Sequence, residues 1–453
     1  MTQKIRQLML LLGDALLMYV SLFLALSLRN QAIISPEIWS QHWPVFSYAF
    51  AIWILAFYIA GSYTISNIRN DLRFYINAIR VMGIDILLAV SFFYVLPQTQ
   101  LTPKTILVLT GIIFFLLFIG WRQLAHRTIL KKALRQKVLI TGKNQTVLEL
   151  ARLLDRNPQY GYDLSAIMAH NAKDEIGNVP DYTDSEQLEN IIDKHKISLI
   201  VMDHESRESK KLINNLYKHL NRRLEFMSLD EFYESITKRV PLEIIDQFWF
   251  LENLQEGRKR FYDFGKRMVD IVASIVFGII FLALSPLIGI LIILTSGFPI
   301  LFIQTRIGKN GRPFRAVKFR TMVRDAEKNG PQWAAKDDPR VTAIGKFLRK
   351  SRVDEIPQLI NILRGEMSFV GPRPERPEFV DKLKQEIPFY RERLLVKPGL
   401  TGWAQINYRY GASVQDAKTK LQYDLYYVKN RSLALDFGII LRTVKTVLSA
   451  IGQ

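Results

Sequence analysis

The sequence predicts a membrane protein in three parts: a four-helix transmembrane bundle, a Rossmann-like α/β middle domain, and a mainly α C-terminal domain with a re-entrant membrane helix. Three observations predict it. Four apolar runs near the N-terminus carry basic flanks on alternate sides. From Lys137 to about Leu229, short apolar runs alternate with helical ones. A fifth apolar run, about 268–303, is basic on both flanks and holds Ser285-Pro286 at its centre.

The first four runs, at about 7–28, 44–63, 81–97 and 105–121, approach the roughly 20 residues a helix needs to cross a bilayer. Lys4 and Arg6 precede the first; Arg69, Arg73 and Arg80 separate the second from the third; Arg122, Arg127, Lys131, Lys132, Arg135 and Lys137 follow the fourth. The two other loops carry only Arg29 and Lys104. Positive charge stays with the cytoplasm, so both ends of this bundle are expected there, with the chain after it. No small-residue cleavage site follows the first run, which reads as an uncleaved membrane segment.

The middle domain is expected over 135–250. Strands at Val138–Ile140, Leu164–Ala169, Ser198–Met202 and Leu224–Met227 alternate with helices at Val147–Leu154, Ser185–His195 and Leu212–Leu220, the signature of a parallel sheet. Its first turn, Thr141-Gly142-Lys143-Asn144-Gln145, has one glycine where dinucleotide binding calls for three. A regulatory or oligomerisation role fits it better.

In the fifth run, Lys259, Arg260, Lys266 and Arg267, with Arg258, precede the apolar stretch, and Arg306, Lys309, Arg312, Arg315, Lys318 and Arg320 follow it. Cations on both flanks favour one side of the membrane. Proline removes a backbone donor, and roughly 17 residues on either side would reach inward and return. A re-entrant helix–break–helix is therefore expected, with the Ser285 hydroxyl one partner for the freed backbone; the alternative is a kinked spanning helix, which would put the following domain outside.

The chain of 453 residues is 49% hydrophobic yet carries a formal net charge of +19, which with these apolar runs points to an anionic membrane surface or phosphorylated substrates. The absence of cysteine excludes disulfides, thiolate metal sites and cysteine nucleophiles. All six histidines precede residue 220, which leaves acid–base work in the C-terminal half to carboxylates, Lys, Arg or a metal.

That half, 258–453, concentrates charge, Gly and Pro in four blocks: Lys318-Phe319-Arg320-Thr321-Met322, Arg349 to Gln358 with the Asp354-Glu355 pair, Gly371-Pro372-Arg373-Pro374-Glu375, and Lys397-Pro398-Gly399-Leu400-Thr401-Gly402-Trp403. Adjacent carboxylates among cations suit phosphoryl transfer: one can attack phosphorus, the other can hold a divalent metal, and arginines clamp phosphate oxygens. The pair could equally begin a helix and satisfy its free N–H groups. No GxxxxGK[ST] loop is present.

In these blocks the chain resembles the bacterial polyprenyl-phosphate hexose-1-phosphate transferases, in the long form of exopolysaccharide and capsule pathways, which has four N-terminal spans, a degenerate Rossmann-like domain and a catalytic domain. The resemblance implies transfer of a sugar-1-phosphate from a UDP-sugar to undecaprenyl (polyprenyl) phosphate at the bacterial inner membrane, with the middle and catalytic domains in the cytoplasm. By the same resemblance Asp354 is the nucleophile that forms a phosphosugar–enzyme intermediate and Glu355 helps hold Mg²⁺. Arg349 and Arg373 match phosphate-handling arginines, Lys318 and Arg320 a phosphate-facing basic motif, and Ser285-Pro286 the break of the re-entrant element; a homodimer is expected. Arg352 stands where the family usually has an apolar residue. The alternatives are a membrane-anchored nucleotide-sugar dehydratase, which needs an intact glycine fingerprint and a Tyr-x-x-x-Lys, and a non-catalytic assembly scaffold. The segment from Leu433 to Ile451 has the period of an amphipathic helix, suited to the membrane surface or to domain packing.

Overall fold

The computed structural model describes residues 3–64, 72–95, 104–130, 135–142, 144–168, 180–182, 187–219, 222, 224–254, 259–326, 338–408, 411 and 413–448. Arg69, Lys131, Lys132, Lys143, Arg258 and Ile451, and the expected element ends at Ala169, Ser185 and Leu220, lie outside them. The chain divides into two compact units, Met1–Phe232 and Tyr233–Gln453.

The first unit begins with helices α1 (Gln3–Asn30), α2 (Pro36–Ile59), α3 (Leu72–Val95) and α4 (Lys104–Leu130). Each contains a stretch long and apolar enough to cross a membrane. They share one apolar core, in which Met18, Phe46, Trp53, Phe57, Phe114 and Phe118 are wholly buried. Inside it Arg122 is 0% exposed. Its Nη2 donates to Asp14 Oδ2 at 2.5 Å, its Nη1 to the Ser62 carbonyl at 3.1 Å, and its guanidinium lies 4.8 Å from the Phe118 ring centre. A buried guanidinium holds its place only with its charge and donors matched, and Asp14 supplies the charge.

A five-stranded parallel sheet follows, built from β1 (Gln136–Thr141), α5 (Gln145–Arg156), β2 (Tyr162–Met168), β3 (Asp181–Tyr182), α6 (Leu188–His195), β4 (Leu199–Met202), α7 (His204–Glu208), α8 (Lys210–Tyr217) and β5 (Glu225–Ser228). The strand order is β3-β2-β1-β4-β5, so the order reverses between β1 and β4. The sequence anticipates every strand but the two-residue β3. At the reversal, where such sheets bind nucleotides, Gly142 has φ +94° and the Asp203 carboxylate lies over it: a Cβ there would meet Asp203 Oδ2 at 1.9 Å. Asn144 Oδ1 accepts from Val147 N–H at 3.0 Å, capping α5 from within. A carboxylate therefore fills the place where the fold would otherwise approach a pyrophosphate.

Helix α9 (Leu229–Thr237) leads to α10 (Gln247–Asn253). Val240, Leu242, Ile245 and Trp249 share a core with Val380, Leu383, Leu421 and Leu425, so the segment up to about 250 that sequence grouped with the middle domain packs in the second unit. Next comes α11 (Arg260–Ser296), a single 37-residue helix. This corrects the expected helix–break–helix: the helix runs through Pro286, and residues 301–303 begin a strand instead. The reason is local. Pro286 cannot donate to the Leu282 carbonyl one turn back, and Ser285 Oγ donates to that same carbonyl at 3.0 Å, so no acceptor is stranded.

The remainder is an antiparallel hairpin, β6 (Leu301–Ile307) and β7 (Pro313–Phe319), followed by α12 (Ala343–Lys350), a 3₁₀ turn Val353–Gln358, α13 (Leu359–Arg364) and β8 (Ser368–Val370). The last elements are α14 (Pro377–Glu386), β9 (Gly399–Thr401) paired parallel to β8, α15 (Trp403–Asn407), α16 (Val414–Asn430) and α17 (Leu433–Leu448). Helix α17 packs on the domain, with Ile439 buried at 0% and Leu435 and Ile440 beside Trp403 and Tyr427, while Leu433, Phe437 and Val444 stay exposed.

Removing one partner of a buried ion pair costs roughly 3–5 kcal/mol, whereas a matched apolar replacement of both is nearly neutral. Asp14→Ala should therefore lower the thermal midpoint of the detergent-solubilised protein, and Asp14→Leu with Arg122→Met should recover most of the loss. Equal losses in both proteins would show that the uncompensated charge is not the cause.

Candidate active site

The site is assembled at the joint between β7, the 3₁₀ turn and the Pro372-Arg373-Pro374 segment. Helix α12 starts at Thr342, whose hydroxyl accepts from Gly345 N–H at 3.1 Å. Gly345 lets the helix press against the chain leaving β7; a Cβ there would lie 2.1 Å from the Thr321 carbonyl oxygen. After α12, Arg352 adopts φ +59°, a left-handed conformation that costs a side-chain-bearing residue roughly 1–2 kcal/mol. That reversal starts the 3₁₀ turn and brings Asp354 and Glu355 inward, 7% and 5% exposed.

The pair does not serve as a helix cap. Glu355 Oε1 accepts from Lys318 Nζ at 2.9 Å and from Arg373 Nη2 at 2.9 Å, and Arg352 Nη1 lies 3.8 Å from Oε2. Asp354 Oδ1 is buried without a hydrogen-bond partner. The two acids titrate in opposite directions. Burial works against ionised Glu355, but Arg373, Lys318 and Arg352 outweigh it and hold its carboxyl well below the usual range. Burial, and then the charge on Glu355, push Asp354 up to about 6, against the pull of Lys318, Arg352 and Arg349.

Arg373 is placed by backbone. Gly371 N–H donates to the Thr401 carbonyl and Gly399 N–H to the Pro372 carbonyl, both at 2.9 Å. A Cβ on Gly399 would lie 2.1 Å from Gly371 N, and one on Gly402 would lie 2.2 Å from Gly371 O. The glycines of the two motifs thus let two main chains touch, and the Gly399–Trp403 block braces the arginine segment. Trp403 is buried, its indole N–H donating to the Lys238 carbonyl at 3.0 Å.

Of the residues singled out from sequence, Asp354, Glu355, Lys318 and Arg373 come together. Arg349 stands behind them, its Nε donating to Thr321 Oγ1 at 2.9 Å, and its charge reaches Asp354. Arg320 goes elsewhere: its Nη2 donates to the Ser296 and Gly297 carbonyls at the end of α11. Ser285 and Pro286 lie within α11 and belong to its membrane-type stretch. Three contributors were not assigned from sequence. Arg352, noted only as a departure, faces Glu355. Arg306 Nη1 donates to the Pro374 carbonyl at 3.1 Å. Arg393 Nη2 donates to the Arg373 carbonyl at 2.9 Å, while its Nε and Nη1 bond Asp424 Oδ2 and Tyr390 Oη at 2.9 and 3.0 Å. No local motif marks Arg393 and Asp424, which lie 31 positions apart.

Among the described residues Lys318, Arg349, Arg352 and Arg373, with Arg306, outnumber the carboxylates Asp354, Glu355 and Glu375, an excess of positive charge suited to a diphosphate. Among the described residues no group of three or more acidic or histidine side chains gathers to hold a metal. A site built from one carboxylate and the oxygens of a bound phosphate remains compatible, because Mg²⁺ commonly takes one or two carboxylates plus phosphate. Oε1 of Glu355 already accepts from Lys318 and Arg373, so Oε2, with Arg352 at 3.8 Å, is the oxygen that would hold it.

The raised value of Asp354 has a stability consequence. Its folded value lies above its ordinary 3.8, so its contribution to stability is complete below pH ~4 and is lost as pH rises through about 6. Asp354→Asn should therefore unfold at a higher temperature than wild type above pH ~6, by up to about 3 kcal/mol, with the two converging toward pH ~4. A midpoint at neutral pH equal to or below that of wild type would contradict the buried, unpartnered carboxylate.

Comparison with known proteins matches residues 261–450 to the bacterial sugar transferase family. A UDP-N-acetylgalactosamine-undecaprenyl-phosphate N-acetylgalactosaminephosphotransferase of Aeromonas hydrophila is 46% identical over 191 residues, which cover 42% of this chain and 45% of its own length. A UDP-glucose:undecaprenyl-phosphate glucose-1-phosphate transferase of Caulobacter vibrioides is 40% identical over 41% of this chain and 71% of its own. An undecaprenyl-phosphate galactose phosphotransferase of Salmonella typhimurium is 31% identical over 338 residues, 69% of this chain and 68% of its own. The matched region contains the acidic pair, its cations and the glycine-braced arginine segment, and the chain belongs to the bacterial sugar transferase family.

Proposed function

We propose that this protein transfers a sugar-1-phosphate from a UDP-sugar to undecaprenyl (polyprenyl) phosphate, the first membrane step of exopolysaccharide or capsule assembly, through a covalent intermediate on Asp354. The observation that carries the reading is the buried Asp354 Oδ1, left without a hydrogen bond beside a Glu355 already matched by cations. An ionised oxygen without donors keeps its lone pairs for phosphorus.

In the first step Asp354 attacks the sugar-linked phosphorus, a P–O bond forms, and the bond to UMP breaks with its electron pair going to UMP. In the second, an oxygen of polyprenyl phosphate attacks the same phosphorus, the Asp354 carboxylate leaves, and a polyprenyl diphosphate sugar forms. Lys318, Arg349, Arg352 and Arg373 stabilise charge on the phosphoryl oxygens throughout. Mg²⁺ bound at Glu355 would neutralise the donor's diphosphate and favour departure of UMP.

The reading places α1–α4 as a transmembrane bundle in the bacterial inner membrane, with both ends cytoplasmic. It takes α11 as re-entrant, turning back within the leaflet by a bend at Pro286 and not by a break in the helix. Support comes from the anchoring of both its ends on the second unit. Lys266 bonds Asp436 at 2.6 Å and Asp270 accepts from Ser368 Oγ at 3.0 Å near one end, while Ile292 packs on Phe319 and Leu348 near the other. Between them Val276, Ile279, Leu282 and Leu287 are exposed. A helix tied twice to one unit, with an apolar middle, suits insertion from one face.

The test is UMP release from a panel of UDP-sugars by detergent-solubilised protein, with and without undecaprenyl phosphate and Mg²⁺. Sustained release should require both and one donor sugar, with at most about one UMP per protein when the lipid is omitted; it should rise with pH as Asp354 ionises near about 6, and fall by at least about 10³-fold in Asp354→Asn. Glu355→Gln should raise the Mg²⁺ requirement steeply. Substantial turnover in Asp354→Asn would remove it as nucleophile, and no release from any donor by folded protein would remove the transferase reading.

A further inference from the structure

We propose a second site in which Lys397 and Arg267 hold the phosphate of a lipid headgroup over the Gly365 turn, at the N-terminal end of α11. Gly365 ends α13 with φ +82° and leaves its backbone bare. A Cβ placed there would lie 3.5 Å from Lys397 Nζ and 3.6 Å from Arg267 Nη2, so two cationic heads border one small, open space.

Neither cation has a carboxylate of its own. Arg267 donates from Nη1 to the Ile362 carbonyl at 2.6 Å and from Nη2 to the Leu363 carbonyl at 2.7 Å, which fixes the guanidinium while leaving its charge unmatched. Lys397 makes no hydrogen bond or ion pair among the described residues. Asp270 Oδ1 accepts from Ser368 Oγ at 3.0 Å and Phe369 N–H at 3.1 Å, and the charges of Asp270 and Asp263 reach Lys397 without an ion pair to it. Burial, then the neighbouring Arg267 charge, lower the proton affinity of Lys397 against the opposing pull of Asp270 and Asp263.

The surroundings choose the ligand. Phe264 and Met268 on α11 and Ile360 and Leu363 on α13 are exposed and apolar. Two unmatched cations bordered by apolar side chains, where a membrane helix begins, suit a phosphate whose alkyl chains lie along the helix. Soluble anions would gain nothing from the apolar border. The lipid could be a bilayer phospholipid or, on the transfer reading above, the polyprenyl phosphate acceptor.

Native mass spectrometry of the full-length solubilised chain distinguishes them, with phosphatidylglycerol, undecaprenyl phosphate and uncharged diacylglycerol as probes. Lys397→Gln should retain a phosphate lipid about fivefold less than wild type, what one basic residue contributes at an anionic lipid surface. Lys397→Arg should retain it as wild type does, and diacylglycerol should not change in either protein. A loss confined to phosphatidylglycerol assigns the site to the bilayer, and a loss confined to undecaprenyl phosphate assigns it to the acceptor; a loss of both assigns it to lipid phosphate in general. Equal retention of both lipids by wild type and Lys397→Gln, repeated with Lys397→Met, overturns the proposal. Because UMP release is not the readout, failure of the transfer reading would leave this result interpretable.

Discussion

The second unit is organised around the cost of burying Glu355. A carboxylate 5% exposed can stay ionised only if cations are held against it. Three separate stretches of chain meet this demand: β7 with Lys318, the left-handed turn with Arg352, and the Pro372–Pro374 segment with Arg373. Each cation must itself be immobilised, so the requirement spreads outward. Arg393 and its partner Asp424 hold the Arg373 main chain, and the glycine contacts between residues 371 and 399–402 hold its neighbours. With Glu355 matched in this way, the adjacent Asp354 is left as the acid whose charge is incompletely met.

This division of labour explains why two adjacent carboxylates behave differently. They share a turn, and the cations lie on the Glu355 side of it. Asp354 receives their field at greater range together with the repulsion of Glu355, and burial then decides its direction. Neither acid would titrate this way alone, and the pair is the functional unit.

Much of this was legible in the sequence, for identifiable reasons. The apolar runs, the strand–helix alternation and the four charged blocks are local patterns, and the helices, the sheet and the acidic cluster appear where those patterns lie. What was illegible depends on contacts between distant residues. Arg320 shares a motif with Lys318, and its N–H still bonds the Ile300 carbonyl beyond the end of β7, but its side chain turns to the carbonyls that end α11. Arg393 and Asp424 carry no motif, and Asp203 over Gly142 becomes visible only when β1 and β4 lie side by side. Pro286 suggested a broken helix; the Ser285 hydroxyl, named from sequence as a partner for the freed backbone, bonds the Leu282 carbonyl, and the helix continues through both.

The capping of α11 by Arg320 has a mechanical consequence. Arg320 grips the end of the membrane helix, and Lys318, two positions earlier on the same run of chain, grips Glu355. Two extended residues span only ~7 Å, and no hinge lies between the two grips. With α11 in the lipid as proposed, the acidic pair is referenced to its depth there, as a stylus is to its arm. Bilayer thickness and the tilt of that helix then become variables of the proposed site, adjustable without changing any residue of the acidic cluster.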